Sequence, residues 1–182
     1  MSEELAGKRI TLGVTGSIAA YKAAEIASAL VKMKADVHVI LTKGAANFIT
    51  PLTMRTLSRN VVAADMWEEH GWKPEHIDLA ATDLLLVAPA TAHLIAEFAQ
   101  GLAPDILTGT YLATRAPVLL APAMNTMMLD HPATQANIKL LRERGVKFVD
   151  TAAGVLACGD EGKGKLANVS TIVEAAVNIL LA

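Results

Sequence analysis

Cysteine is almost missing. Cys158 is the one cysteine in 182 residues, so no disulfide forms within the chain. No Cys/His grouping has zinc-ligand spacing, and no metal is expected. Charge is scarce as well, 19% of residues against about 25% in a typical soluble domain. The formal net charge is −2, and no basic block exceeds two residues, which argues against a nucleic-acid partner. No unbroken apolar stretch reaches about 18 residues, so no membrane span is expected. The stretch Met1–Arg9 lacks the basic start and apolar run of a signal peptide, which gives a cytoplasmic protein as the expectation. No linker, repeat or domain boundary is visible, so one domain is expected over residues 1–182. What the chain does have is apolar surface. Hydrophobic residues make up 53%, against roughly 45–50%. That excess predicts a homo-oligomer with apolar interfaces.

The apolar residues fall into short runs. Lys8–Thr15 carries Ile10, Leu12 and Val14, and Asp36–Leu41 reads Asp-Val-His-Val-Ile-Leu; both suit buried strands. Between them Ile18–Lys34 has helical spacing, which makes a βαβ unit with a right-handed crossover. Further strands are predicted at Leu84–Ala88, Pro117–Ala121 and Val146–Val149. Helices are predicted at Pro51–Ser58, Ala90–Gln100, within Thr126–Arg144 and at Val169–Leu181. Segments 59–78 and 151–168 read as loops. Strands alternating with helices and lacking polar alternation predict an α/β protein, a parallel sheet covered on both faces.

Such sheets bind ligands beyond the carboxyl ends of their strands. Gly13-Val14-Thr15-Gly16-Ser17-Ile18 follows the first strand. Gly16, the Ser17 hydroxyl and the following helix start suit a phosphate, or simply make a strand-to-helix turn. The stretch is neither Gly-x-Gly-x-x-Gly nor a Walker loop, which favours a mononucleotide over a dinucleotide. Thr42 ends the second strand and can donate to the same phosphate. Thr91, in Ala88–His93, either caps the next helix or faces a ligand. Asn125, in Ala121–Met128, is likewise a cap or a site residue, and Met124, Met127 and Met128 read as core. The Cys158 loop, Ala157–Lys165, surrounds its thiol with three glycines and four charged residues. It is either an ordinary surface loop or a thiol placed to meet a substrate.

Together these segments resemble the homo-oligomeric flavin-containing cysteine decarboxylases. Pro122-Ala123-Met124-Asn125-x-x-Met128 resembles that family's Pro-x-Met-Asn-x-x-Met signature, and Gly13–Lys22 its flavin-phosphate segment. His76-Ile77-Asp78-Leu79 resembles the stretch bearing its active-site histidine. Ala157-Cys158-Gly159-Asp160-x-Gly162-x-Gly164 resembles the substrate clamp of the branch acting on 4'-phospho-N-pantothenoylcysteine. The resemblance runs from about residue 8 to 180, with four motifs in order.

The resemblance implies a three-layer Rossmann-like (flavodoxin-like) fold, FMN as cofactor, and conversion of that substrate to 4'-phosphopantetheine in coenzyme A biosynthesis. Oxidation of the substrate thiol at the flavin, loss of CO₂ and reduction of the resulting ene-thiol are the implied steps. His76 is then the candidate base, Asn125 the group orienting the carboxylate, and Cys158 the final proton donor. Gly16, Ser17, Ile18 and Thr42 would hold the FMN phosphate, with Phe48, Thr91, Ala92, His93, Leu94 and Met124 along the ring. Ala157, Cys158, Gly159, Asp160, Lys163, Lys165 and Asn125 would meet the substrate. The clamp departs from the family's Gly-Arg-Met-x-Glu at Gly164-Lys165-Leu166-Ala167-Asn168, and lysine cannot reproduce an arginine fork. A trimer or dodecamer with FMN near an interface is implied, and a separate synthetase, because relatives often carry one fused. The alternatives are a peptidyl-cysteine decarboxylase and a non-catalytic FMN-binding regulatory subunit.

Overall fold

The computed structural model describes residues 3–67, 74–155, 157, 159 and 161–182. Six parallel strands form the central sheet: β1 (Arg9–Val14), β2 (Asp36–Leu41), β3 (Val62–Ala63), β4 (Leu84–Ala90), β5 (Val118–Pro122) and β6 (Lys147–Phe148). Their order is β3-β2-β1-β4-β5-β6. Without the two-residue edge strand β3, the rest fall in the flavodoxin-like order. The chain reverses its direction of sheet growth between β1 and β4, and that switch point positions the site.

Strand side chains alternate between two cores. Ile10, Leu12, Val14, Leu84 and Leu86 pack towards α1 (Lys22–Lys32), α2 (Pro51–Ser58) and α8 (Val169–Leu181). Ile40, Leu85, Val87 and Leu120 pack towards α3 (Glu75–Ala80), α4 (Ala92–Gln100), α5 (Ile106–Ala113) and α7 (Pro132–Glu143). Both faces are therefore covered, which is why the strands read as continuous apolar runs. His38 lies on β2 with its Nε2 2.9 Å from Asp36 Oδ2, a surface pair. Among the described residues, no helix is long and apolar enough to cross a membrane.

Four elements differ from the sequence reading. The helix predicted from Ile18 begins as a 3-10 turn over Ile18–Tyr21 and becomes α-helical at Lys22. The helix predicted within Thr126–Arg144 breaks into α6 (Thr126–Asp130) and α7, because Pro132 forces His131 into an extended conformation (φ −61°, ψ 133°). Segment 59–78 contains β3 and the start of α3 rather than loop alone. Segment 151–168 is not loop throughout: β7 (Ala152–Val155) and β8 (Glu161–Lys165) form an antiparallel hairpin.

The helix α5 was not anticipated. Asp105 and Thr108 cap it reciprocally, and it presses on β1 where Gly13 carries no side chain. A Cβ at Gly13 would lie 2.7 Å from Leu107 Cδ1.

Candidate active site

The site is built at the switch point, from the ends of β1, β2, β4 and β5. Thr15 joins two of them: its hydroxyl donates to Pro89 O at 2.7 Å and accepts from Thr91 N at 3.2 Å. Gly16 turns next, and its role is closer contact than a tight turn requires. Its backbone lies against that of Gly44, so a Cβ at Gly16 would meet Gly44 C at 3.0 Å and Gly44 Cα at 3.1 Å. Two loops, one after β1 and one after β2, thus meet backbone to backbone. The Ser17 hydroxyl accepts from Ala19 N at 3.3 Å, and Thr42 Oγ1 accepts from Ala45 N at 3.3 Å.

On the β4 side Thr91 caps α4, accepting from Leu94 N at 3.3 Å, and it also lines the cavity. Asn125 does the same for α6, its Oδ1 accepting from Met127 N at 2.8 Å. The hairpin closes the remaining side. Met124 N donates to Gly164 O at 2.9 Å, and Thr126 Oγ1 donates to Lys163 O at 2.6 Å. These bonds stitch β8 to the turn between β5 and α6.

These elements enclose a cavity of about 970 Å³. That is at the upper end of the roughly 300–1,000 Å³ of small-molecule sites, room for a cofactor and a substrate together. Gly16, Ser17, Ile18 and Thr42 line it, as do Thr91, Ala92, His93 and Leu94. Met124, Asn125, Ala157 and Lys165 line it too. Lys22 and Lys43 add positive charge beside the Gly16–Gly44 contact.

Several expected residues stand elsewhere. Phe48 is 46% exposed beyond the short turn Ala45–Asn47 and does not border the cavity. His76 lies on α3 against α5, with its Cβ 3.7 Å from where a Gly109 Cβ would stand, and does not line the cavity. Lys163 and Gly159 are exposed and outside the lining. Cys158 and Asp160 lie outside the described residues. Met127 and Met128 are not core: they are 78% and 51% exposed, and Met128 faces the cavity. Among the described residues no His/Cys/Asp/Glu group has the makings of a metal site.

Several lining residues were not singled out, Thr15, Gly44, Asp105 and Glu97 among them. Thr15 and Gly44 work through a contact between separate loops, which no local pattern reveals. Asp105 carries the capping-box spacing with Thr108. Glu97 stands four residues after His93 on α4, a spacing that puts the two side chains together. Burial pushes the Glu97 carboxyl above its usual range; His93 opposes this and the Asp105 charge adds to it.

A protein-family profile described as Flavoprotein matches residues 1–181. The coenzyme A biosynthesis bifunctional protein CoaBC of Bacillus subtilis is 46% identical over 174 residues, covering 94% of this chain and 43% of that protein. This chain thus spans under half the length of such bifunctional relatives. A probable phosphopantothenoylcysteine decarboxylase of Streptococcus mutans is 45% identical over 171 residues, 92% of this chain and 96% of that one. Among solved structures, a cysteine-to-serine mutant of PPC decarboxylase complexed with pantothenoylaminoethenethiol superposes with a TM-score of 0.86. Its identity is 28%, covering 96% of this chain and 99% of the other.

Proposed function

The chain belongs to the flavoprotein family, within its cysteine decarboxylases, and on that basis we propose that it decarboxylates 4'-phospho-N-pantothenoylcysteine to 4'-phosphopantetheine in coenzyme A biosynthesis, using FMN. The observation that carries this reading is the single cavity onto which the Gly16–Ile18 turn, the Thr91–Leu94 turn, Met124–Asn125 and β8 all open.

The residues present fit a flavin mononucleotide. The Gly16–Gly44 contact leaves a backbone cradle with no side chain in it, flanked by the Ser17 and Thr42 hydroxyls and by Lys22 and Lys43. When bound, FMN supplies the two-electron acceptor and donor that the reaction needs. Asn125 would hold the substrate carboxylate with an uncharged amide, which orients it without stabilising the ground state as a cation would. Lys165, on the β8 side, would meet the substrate's phosphate or carboxylate as a point charge. Cys158 would deliver the final proton from the clamp, about residues 151–168, within one domain.

His76 would act as base across an interface, because it does not line the cavity of its own chain. Exposed Ile77 on α3 and Leu112 on α5 support such an interface on that face. The assembly would be a trimer or dodecamer in the cytoplasm, its substrate supplied by a synthetase.

The direct test is mass spectrometry of flavin-loaded protein with phosphopantothenoylcysteine. Loss of CO₂ and appearance of 4'-phosphopantetheine are expected; intact substrate beside bound FMN rejects the reading. With Cys158→Ser, CO₂ should still leave, but the final protonation should slow by roughly 10²–10⁴-fold, so the ene-thiol accumulates. Normal product at the normal rate would remove Cys158 from the mechanism.

A second variant addresses the cradle. Gly16→Ala puts a methyl group against the Gly44 backbone, and neither loop can yield by rotating a side chain. Overpacking of this kind costs about 1–3 kcal/mol, so FMN affinity should fall by roughly fivefold to 150-fold. Fluorescence titration with FMN measures it.

A further inference from the structure

Glu97 is the one charged side chain that is buried among the described residues, and the proposed mechanism gives it no task. Its side chain is 11% exposed and its Oε1 lies 3.2 Å from Nε2 of His93, itself 83% exposed. Both residues line the cavity, on the first turns of α4, beside Thr91 and Leu94. A carboxylate is costly to bury without a partner, and that cost rises when a ligand excludes the remaining water. An imidazole bonded through Nε2 removes the cost when it carries a second proton, because the pair is then an ion pair with no net charge.

Resting on the flavin-binding reading above, we propose that His93 and Glu97 are a positioning pair that takes up one proton as the flavin closes over them, holding it at the cavity wall beside the cofactor. Two effects act in the same direction. Covering the pair with an aromatic ring penalises its singly negative form, neutral His93 with ionised Glu97. A bound phosphate in the same cavity also disfavours extra negative charge.

The other charged groups near the pair do not substitute for it. On α5, Asp105 is engaged as a cap, accepting from Thr108 N at 2.9 Å and from its hydroxyl at 2.7 Å. Tyr111 of α5 is stacked on Phe98, on the turn after Glu97. From the C-cap of α7, Arg144 donates to Ala99 O at 2.7 Å. Lys22, Lys43, Lys165 and Tyr21 share the cavity wall, and burial leaves Glu97 already above its usual range before any ligand arrives.

The sign follows from linkage. The complex binds more protons than the free components, so affinity rises as pH falls and is lost as pH rises. One proton corresponds to at most about tenfold in Kd per pH unit, across the roughly pH 5–8 window in which histidine side chains titrate. The test is fluorescence titration with riboflavin, which lacks a phosphate that would itself titrate, and with FMN in parallel. The wild-type chain should bind riboflavin several-fold more tightly at the acid end of that window. Glu97→Gln, which keeps shape and removes charge, and His93→Asn should both flatten the dependence.

Calorimetry of the unaltered chain, in two buffers of different ionisation enthalpy, should read close to one proton taken up with riboflavin. No proton uptake, or a slope that survives in both variants, overturns the proposal. A chain that binds neither flavin at any pH instead overturns the flavin reading on which it rests.

Discussion

Asn125→Asp is expected to slow CO₂ release at least about 100-fold while the protein still folds and still binds flavin. The substitution separates two roles that one side chain performs. As the cap of α6, Asn125 accepts a hydrogen bond from Met127 N at 2.8 Å. Aspartate caps a helix about as well as asparagine, so that bond and the turn after β5 should persist. As a site residue, Asn125 faces the cavity, and a second carboxylate there would confront the substrate's own across a poorly hydrated gap. Like charges at that distance raise the energy of the bound substrate pose in which CO₂ leaves. Asn125→Ala would be a poorer instrument, because losing the cap alone costs about 1 kcal/mol. Product formation by mass spectrometry, alongside flavin fluorescence and thermal unfolding, measures the effect. Turnover near the wild-type rate would confine Asn125 to capping.

Much of this site is legible in the sequence because it depends on contiguous segments. Ile10, Leu12 and Val14, then a glycine and serine, then a helical stretch and Val37–Leu41 place a strand-to-helix turn at the carboxyl edge of the sheet with no knowledge of the tertiary structure. Thr91 and Asn125 are legible for a related reason, since a residue that caps a helix after a strand stands at the carboxyl edge of a parallel sheet. Both cap their helices and both line the cavity, because the first turn of each helix is also part of the cavity wall.

What escaped the sequence depends on contacts between segments. The run Ile106-Leu107-Thr108-Gly109-Thr110 has poor helix propensity, and packing over Gly13 and α3 overrides it. The hairpin β7–β8 is built from glycines and lysines that ordinarily avoid strands. It forms because each strand finds a partner and because β8 is bonded to Met124 and Thr126. The Gly16–Gly44 contact is equally hidden, since each glycine alone reads as a turn. His76 shows a different limit. Its motif draws attention to the residue, but a linear pattern carries no information about the packing of α3 on α5 that keeps it out of the cavity lining.

Gly164→Ala is the other substitution expected to have a large effect, and here the cause is purely steric. Gly164 has φ +106°, a conformation that side-chain-bearing residues rarely adopt. A Cβ there would also run into the carbonyl oxygen of Met124 and stand 3.3 Å from its carbonyl carbon. Both obstacles are backbone, so no rotamer change relieves them. The neighbouring Gly162 is similarly constrained by the Thr126 side chain, so β8 cannot slide along the turn to escape. The alanine variant must lift β8 from the β5–α6 turn, giving up the bonds from Met124 N to Gly164 O and from Thr126 to Lys163 O.

Backbone strain of this kind costs about 1–3 kcal/mol, which corresponds to roughly fivefold to 150-fold in the population of the closed hairpin. The loss should therefore appear in kcat/KM for the phosphorylated cysteine substrate and in faster proteolysis within residues 151–168. Flavin affinity should change far less, because the Gly16–Gly44 cradle belongs to other loops. Paired with Gly16→Ala, which should weaken flavin binding first, this variant divides the cavity into a cofactor half and a substrate half. If Gly164→Ala kept both wild-type kcat/KM and wild-type protease resistance, the stitch between β8 and the Met124–Thr126 turn would have no part in closing the site.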